Sequence, residues 1–255
     1  HAMHEAGVIV GDVNQGNLLV DDRMRVRFID CDSFQIAGPD TVYTCPVGTP
    51  HFTPGELQSQ NLREVERNVD HDAFGLAILI FHLVFVGRHP FAGRFRGEGD
   101  LPIERAIGER RFAFSRDRWV TQVDPPPASL SLDDLPGPLA NLFEIAFRAD
   151  LAAGDRRPEP AQWAEALDHL MSHRKVCQFD ERHIHYNELD RCPWCRIEDE
   201  GGPTFFVRDA EASIISSQRL AELDRRVSEL RVIQYPELPH GRLDLPPRLR
   251  RKELD

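Results

Sequence analysis

The sequence predicts a mainly α-helical domain with one small β-hairpin near its start, followed by a small cysteine- and histidine-rich module and a partly helical tail. Three observations point there. Residues 72–86 are apolar on every side, the pattern of a helix buried at the centre of a helical domain. Two later stretches repeat apolar residues at i, i+3, i+4, i+7 spacing: Leu139, Leu142, Phe143, Ala146 and Phe147, then Trp163, Ala166, Leu167, Leu170 and Met171. Near Lys175 the composition turns to Cys, His and charge. A chain of 255 residues, 41% hydrophobic, can bury one substantial core and a small satellite.

In chain order, short apolar runs come first: Val8-Ile9-Val10, Leu18-Leu19-Val20, then Val26, Phe28 and Ile29. Asp21-Asp22 turns the second run into the third, which reads as a hairpin. Residues 37–69, rich in Pro, Gly, Thr and Asn, read as a long loop, a length usually kept for function. The central helix stops at Gly87, with Pro90 barring continuation. Pro125-Pro126-Pro127 is a stiff connector, and Asp155-Arg156-Arg157-Pro158 a turn between the two amphipathic helices. The expected division is a helical domain over 1–174, a metal-binding knuckle over 175–200 and a polar tail over 201–255 with one amphipathic helix on Leu220, Leu223, Val227 and Leu230. No internal repeat is found.

A formal charge of −11 argues against a chain that wraps nucleic acid through bulk electrostatics. The basic stretch Arg248-Leu249-Arg250-Arg251-Lys252 reads as a solvated end, with nucleic-acid or acidic-partner binding as the minority alternative. The apolar run 73–86 is about four residues short of the roughly 18 that span a bilayer, and residues 1–11 lack the pattern of a signal peptide. Three of five cysteines fall between 177 and 195, which suggests metal binding in a reducing compartment, hence the cytoplasm.

The strongest chemical signal is Gly11-Asp12-Val13-Asn14-Gln15-Gly16-Asn17, with Asp30 thirteen residues on at the end of an apolar strand. Phosphoryl transfer needs a carboxylate to take the nucleophile's proton and oxygen ligands for a hard cation on the phosphates. An Asp, an Asn five residues later, and a second Asp delivered by a hairpin supply all three.

These residues resemble the C-lobe of the protein kinase superfamily. Asp12 and Asn17 match the Asp and Asn of H-R-D-x-x-x-x-N, and Asp30-Cys31-Asp32 stands where D-F-G is expected. Pro54-Gly55-Glu56 resembles A-P-E, which makes the stretch between an activation segment. Asp70, five residues before Gly75, matches D-x-W-S-x-G; Gly87-Arg88-His89-Pro90-Phe91 matches G-x-x-P-F; Arg157-Pro158 resembles the late R-P motif. The resemblance covers residues 1 to about 173 and implies ATP and magnesium as cofactors. It implies Asp12 as base, Asn17 and Asp30 as magnesium ligands, Asn14 beside the transferring phosphate, and Glu56, Asp70 and Arg157 as scaffold, with Arg157 paired to Glu56.

Several positions depart from the pattern. Val10 and Gly11 replace His and Arg, so no arginine at that position can clamp a phosphorylated activation loop, although Thr41, Tyr43, Thr44 and Thr49 could accept phosphate. Asn14 replaces the usual Lys or Arg, and Cys31, expected to be simply buried, replaces Phe. A glycine-rich strand turn and strand lysine, needed to hold nucleotide, are expected upstream in a longer protein. The glycines at 93, 97 and 99 do not substitute, because they lack G-x-G-x-x-G order.

The second constellation is Cys177-x5-His183-x8-Cys192-Pro193-Trp194-Cys195, the donor set of a structural zinc site, with His185 as rival to His183. A redox C-x-x-C would need a thioredoxin-like pattern, which is missing. The combination looks like a group of bacterial kinase-like proteins with a zinc-ribbon-like appendage, some described as DNA-binding. Acidic residues at 181, 188, 190 and 198–200 offset the local basic ones, so DNA binding does not follow. The function expected is a Ser/Thr protein kinase acting on protein hydroxyls. The alternatives are a pseudokinase scaffold that binds partners or nucleic acid through the knuckle, and a small-molecule kinase.

Overall fold

A computed structural model describes residues 2–148, 156–206 and 225. The expected tail helix and the basic stretch lie outside the described residues, as does Asp155 of the expected turn. Described residues up to Phe206 belong to one compact unit. Among them, no helix is long and apolar enough to cross a membrane.

The centre is helix α2. Helix α1 (Ala2–Glu5) and strand β1 (Val8–Ile9) come first, the hairpin strands β2 (Leu18–Val20) and β3 (Val26–Phe28) follow, and β4 (Gln35–Ala37) and β5 (Val42–Tyr43) precede α2 (Val69–Val84). Asn68 starts α2 with a reciprocal cap: its side chain accepts from the amides of Asp70 (2.9 Å) and His71 (3.2 Å), while His71 Nδ1 accepts from the Asn68 amide (3.1 Å). The helix ends where Val86 and Gly87 take left-handed conformations (φ +51° and +80°), a reversal that favours glycine. It buries Ala73, Phe74, Ala77, Ile78, Ile80 and Phe81. The all-round apolar pattern breaks at Leu83, 83% exposed, and again at Val86 where the helix has ended.

Phe81 is the hub of the core. It stacks on Phe85 at 3.9 Å between ring centroids and meets Phe112, Phe114 and Phe143 edge-on. Offset and edge contacts of this kind add to area burial. Phe143 comes from α5 (Gly137–Phe147), and Trp163, from α6 (Pro160–Ser172), sits on Phe143 at 4.9 Å. Between α2 and α5 run β6 (Arg94–Phe95), α3 (Ile103–Gly108), α4 (Arg118–Thr121) and β7 (Val123–Asp124), with β6 and β7 paired antiparallel. The face expected on α6 is only half buried: Trp163 and Ala166 are enclosed, whereas Met171 is 56% exposed because the last turn runs past the core.

The hairpin forms as expected, Leu18 opposite Phe28 and Val20 opposite Val26. The Asp21 carboxylate closes its turn by accepting from the amides of Arg23 (3.0 Å) and Arg25 (2.9 Å). Residues 37–69 are more ordered than the expected loop. The first apolar run pairs with β4, Ile9 opposite Gln35, to make a β1-β4-β5 sheet. Beyond β5, 3-10 turns form at Pro50–Phe52, Gly55–Leu57 and Leu62–Glu64. Side chains supply what a sheet ladder would. The Thr53 hydroxyl donates to Thr49 O (2.9 Å), and Gln58 Nε2 donates to Pro50 O (2.9 Å) and Thr53 O (2.8 Å).

After α6 the chain makes β8 (Arg174–Val176), β9 (Ile184–Tyr186) and α7 (Pro193–Asp199), with β8 and β9 an antiparallel pair. This module packs on the helical core: Ile197 is fully buried in it, and Arg196 donates to Asp134 at 2.8 Å. Gly202 has no room for a side chain, since a Cβ there would lie 2.6 Å from that of Ala128.

Candidate active site and metal centre

The loop 10–17 is anchored from below by α2. Asp72, 4% exposed, accepts from the amides of Val10 and Gly11, both at 2.8 Å, and contacts His4 Nε2 at 2.8 Å. A buried carboxylate is tolerable only when its oxygens are filled this way. Gly75 lets the loop approach: a Cβ there would lie 2.7 Å from Val13 O. Asp72 was not singled out by sequence. The available signal was a second acid in the first turn of an otherwise apolar helix.

Asp12 sits at the centre of a hydrogen-bond network. Its Oδ1 accepts from the Thr49 amide (2.7 Å) and its Oδ2 from Asn17 Nδ2 (3.3 Å), while its main-chain oxygen accepts from Asn17 (3.0 Å) and Asn14 (3.2 Å). Asn14 is buried; it accepts from the Gly16 amide (2.8 Å) and donates to Thr49 Oγ1 (3.1 Å). The side chain at 14 therefore points into the loop's own support. Thr49, considered from sequence as a phosphate acceptor, instead engages Asp12 with its amide and Asn14 with its hydroxyl.

Asp30 ends the hairpin. The preceding residue, Ile29, donates to Asn17 O (3.0 Å), which ties this strand end to the loop. Asp30 takes a left-handed conformation (φ +60°), and a hydrogen bond with Asp32, then the charge of Asp32, pushes its carboxyl above the usual range. A cation would relieve such acid crowding. Cys31 is exposed rather than buried, because the short turn at Cys31–Ser33 projects from the surface.

Arg157 forms a closed cluster with Glu56, its expected partner, and with Asp70, for which no such pairing was expected. It donates to both oxygens of Glu56 (2.7 and 3.0 Å), and its Nη1 and main-chain amide reach Asp70 at 2.5 and 2.6 Å. Its guanidinium lies 5.1 Å from the centre of the Phe74 ring. Burial raises the Glu56 pKa, but hydrogen bonds and charge from Arg157 outweigh it and hold the carboxyl below its usual range.

The second site gathers Cys177, His183, Cys192 and Cys195, whose donor atoms all lie within 4.8 Å of one another. Cys177 follows β8 and His183 precedes β9; the Cys177 amide donates to His183 O (2.8 Å), closing that hairpin. Cys192 caps α7 with Pro193 behind it, which turns Cys195 back toward Cys192. The Cys177–Cys195 sulfurs are 3.6 Å apart, and His183 Nδ1 is 3.4 Å from Cys195 and 3.8 Å from Cys192. A tetrahedral zinc ion has edges of about 3.8 Å between sulfurs and about 3.6 Å between sulfur and nitrogen, so these donors fit one. Burial, then the thiols of Cys177 and Cys192, push the Cys195 thiol up to about 12, so its thiolate needs a cation beside it. His185, the rival ligand, is turned away with Nδ1 on Tyr186 O (2.9 Å).

No family model matches the chain. It is 38% identical over 217 residues to a protein of Escherichia coli O157:H7 named protein kinase YegI, covering 84% of this chain and 33% of that protein. The protein of the same name in strain K12 is 40% identical over 202 residues, covering 78% and 31%. A Dictyostelium discoideum protein named probable serine/threonine-protein kinase irlD is 26% identical over 109 residues, covering 42% and 7%. The chain thus spans about a third of the length of the two bacterial relatives. By sequence, it is related to proteins named as protein kinases.

Proposed function

We propose that this chain is the C-lobe portion of a Ser/Thr-type protein kinase, which in its longer form transfers the γ-phosphate of ATP to a protein hydroxyl. The observation that carries this is the placement of Asp12. Its carboxylate is held by the Thr49 amide and Asn17, in a loop fixed to Asp72 and next to the strand that ends in Asp30. As the substrate hydroxyl attacks the γ-phosphorus, Asp12 takes its proton and the bond to the ADP oxygen breaks. Asn17, whose Nδ2 is spent on Asp12, keeps its amide oxygen for a cation, and Asp30 supplies a carboxylate; magnesium held there would neutralise phosphate charge. Glu56, Asp70 and Arg157 hold the segment that would present the substrate. The proposed division is a catalytic lobe over 1–174, a zinc knuckle over 175–200 and a tail over 201–255, in a cytoplasmic protein.

The pseudokinase reading has one observation in its favour. Asn14, where the resemblance expects a cation, is buried and bonded to Thr49, so position 14 brings no positive charge to the phosphate. Phosphotransfer by the full-length protein, measured with and without Asp12→Asn, separates the two. Transfer abolished by the substitution supports catalysis, and nucleotide-independent partner binding without transfer supports the scaffold.

A further inference from the structure

Position 11, where the resemblance expects an arginine, is a glycine with φ +76°. A Cβ there would lie 2.6 Å from both Cβ and Sγ of the buried Cys45, so no side chain fits. An arginine arrives from elsewhere. Arg67, 3% exposed, donates through Nη1 to Gly11 O and through Nη2 to Val47 O at 2.5 Å. Those two carbonyls bracket the Asp12–Thr49 contact: Gly11 precedes Asp12, and Val47 lies two residues before Thr49, whose amide reaches the Asp12 carboxylate.

The backbone of Arg67 is itself fixed. The side chain of Gln35, on β4 opposite Ile9, accepts from the Arg67 amide and donates to its carbonyl, both at 2.7 Å. Three segments therefore meet at one residue: the sheet holds its backbone, and the loop 10–17 and the stretch 45–49 meet at its guanidinium.

We propose that Arg67 is a positioning residue that clamps the activation segment to the catalytic loop and so orders it without a phosphate. Its regulatory meaning rests on the kinase reading of Asp12. The ordering itself does not.

Hydrogen exchange on the full chain, shown by intact mass to carry no phosphate, tests this. The amides of 44–49 should be protected in the wild-type protein. Arg67→Gln removes charged hydrogen bonds and should speed exchange there by about tenfold or more beyond any change in α5. Arg67→Lys, keeping one donor group, should fall between. Leu142→Ala, a core change in α5, should not raise 44–49 selectively. Fast exchange of 44–49 in the phosphate-free wild-type protein would overturn the proposal. So would an Arg67→Gln effect no more selective than that of Leu142→Ala. Should Arg67→Gln not fold, the Arg67→Lys ratio decides, and an unchanged ratio overturns the proposal. No nucleotide is involved, so a failure of phosphotransfer strikes the kinase reading alone.

Discussion

The Cys/His cluster and the loop 10–17 are built on opposite plans. In the first, four donors lie within 4.8 Å of one another, three of the residues buried and Cys195 half-buried. In the second, Asp12 and Asn17 are braced from behind, and Asp30 stands at the surface in a left-handed turn beside another acid. A four-donor site suits a structural ion, whereas an open site with an amide oxygen and a carboxylate keeps positions for a cation that also binds substrate. Stability should therefore reside in different places: an ion bound by the four donors would stabilise the module, whereas the loop takes its order from Asp72 on α2.

The largest effect should come from emptying the metal centre. Purified protein should carry about one equivalent of zinc, and the Cys192→Ser, Cys195→Ser double variant should lose it. Structural zinc is worth roughly 10–16 kcal/mol to such peptides, so residues 174–200 should unfold first. Full zinc retention by the double variant, measured by elemental analysis, would break the comparison. Because α7 also packs on the core through Ile197, some loss of overall melting temperature is expected as well.

Next is the Arg157 cluster. Arg157→Ala leaves Glu56 and Asp70 without their cation and should cost about 3–5 kcal/mol, a fall in melting temperature of roughly 10 °C for a unit of this size. Its pH dependence has a definite sign. The Glu56 carboxyl is depressed in the folded protein, so its contribution is present above the unfolded value and is lost as pH falls through the folded one. The stability difference between wild type and Arg157→Ala should therefore shrink in acid, below about pH 4. A gap that stays constant from pH 7 to pH 3 would contradict the pairing.

A smaller effect should follow Thr49→Val, which keeps the amide donor to Asp12 but removes the partner of the buried Asn14 amide. The cost should be about 1 kcal/mol by denaturant unfolding. A neutral Thr49→Val would mean that the hydroxyl has no part in bracing Asp12.

Local pattern made one half of the comparison readable from sequence and hid part of the other. Cys192 and Cys195 are three residues apart on one helical turn, so their pairing was readable from spacing; the choice of His183 over His185 was not, because it depends on the β8–β9 hairpin and on His185 turning its Nδ1 to Tyr186 O. Helix α2 was equally plain, since its apolar run and its stop at Gly87 are contiguous. Asp72 was not, because its task is defined by the amides of Val10 and Gly11 some 60 residues away, and in sequence it is one of two acids at a helix start. Asp70, its neighbour, matched a motif and turned to Arg157 instead of to the loop. The 3-10 turns between 50 and 64 were missed because side chains such as those of Thr53 and Gln58 hold them. Cys31, expected inside, stands outside on the short turn that follows Asp30.

The central claim is that Asp12 is the base of a phosphoryl transfer, and the most direct measurement is transfer from labelled ATP to protein by the full-length polypeptide carrying this chain, beside its Asp12→Asn variant. Removing a positioned base costs about 100- to 10,000-fold in rate. The expected result is magnesium-dependent transfer that falls by at least that lower factor in Asp12→Asn, with melting temperature and zinc content unchanged. Equal transfer by both proteins would contradict the assignment.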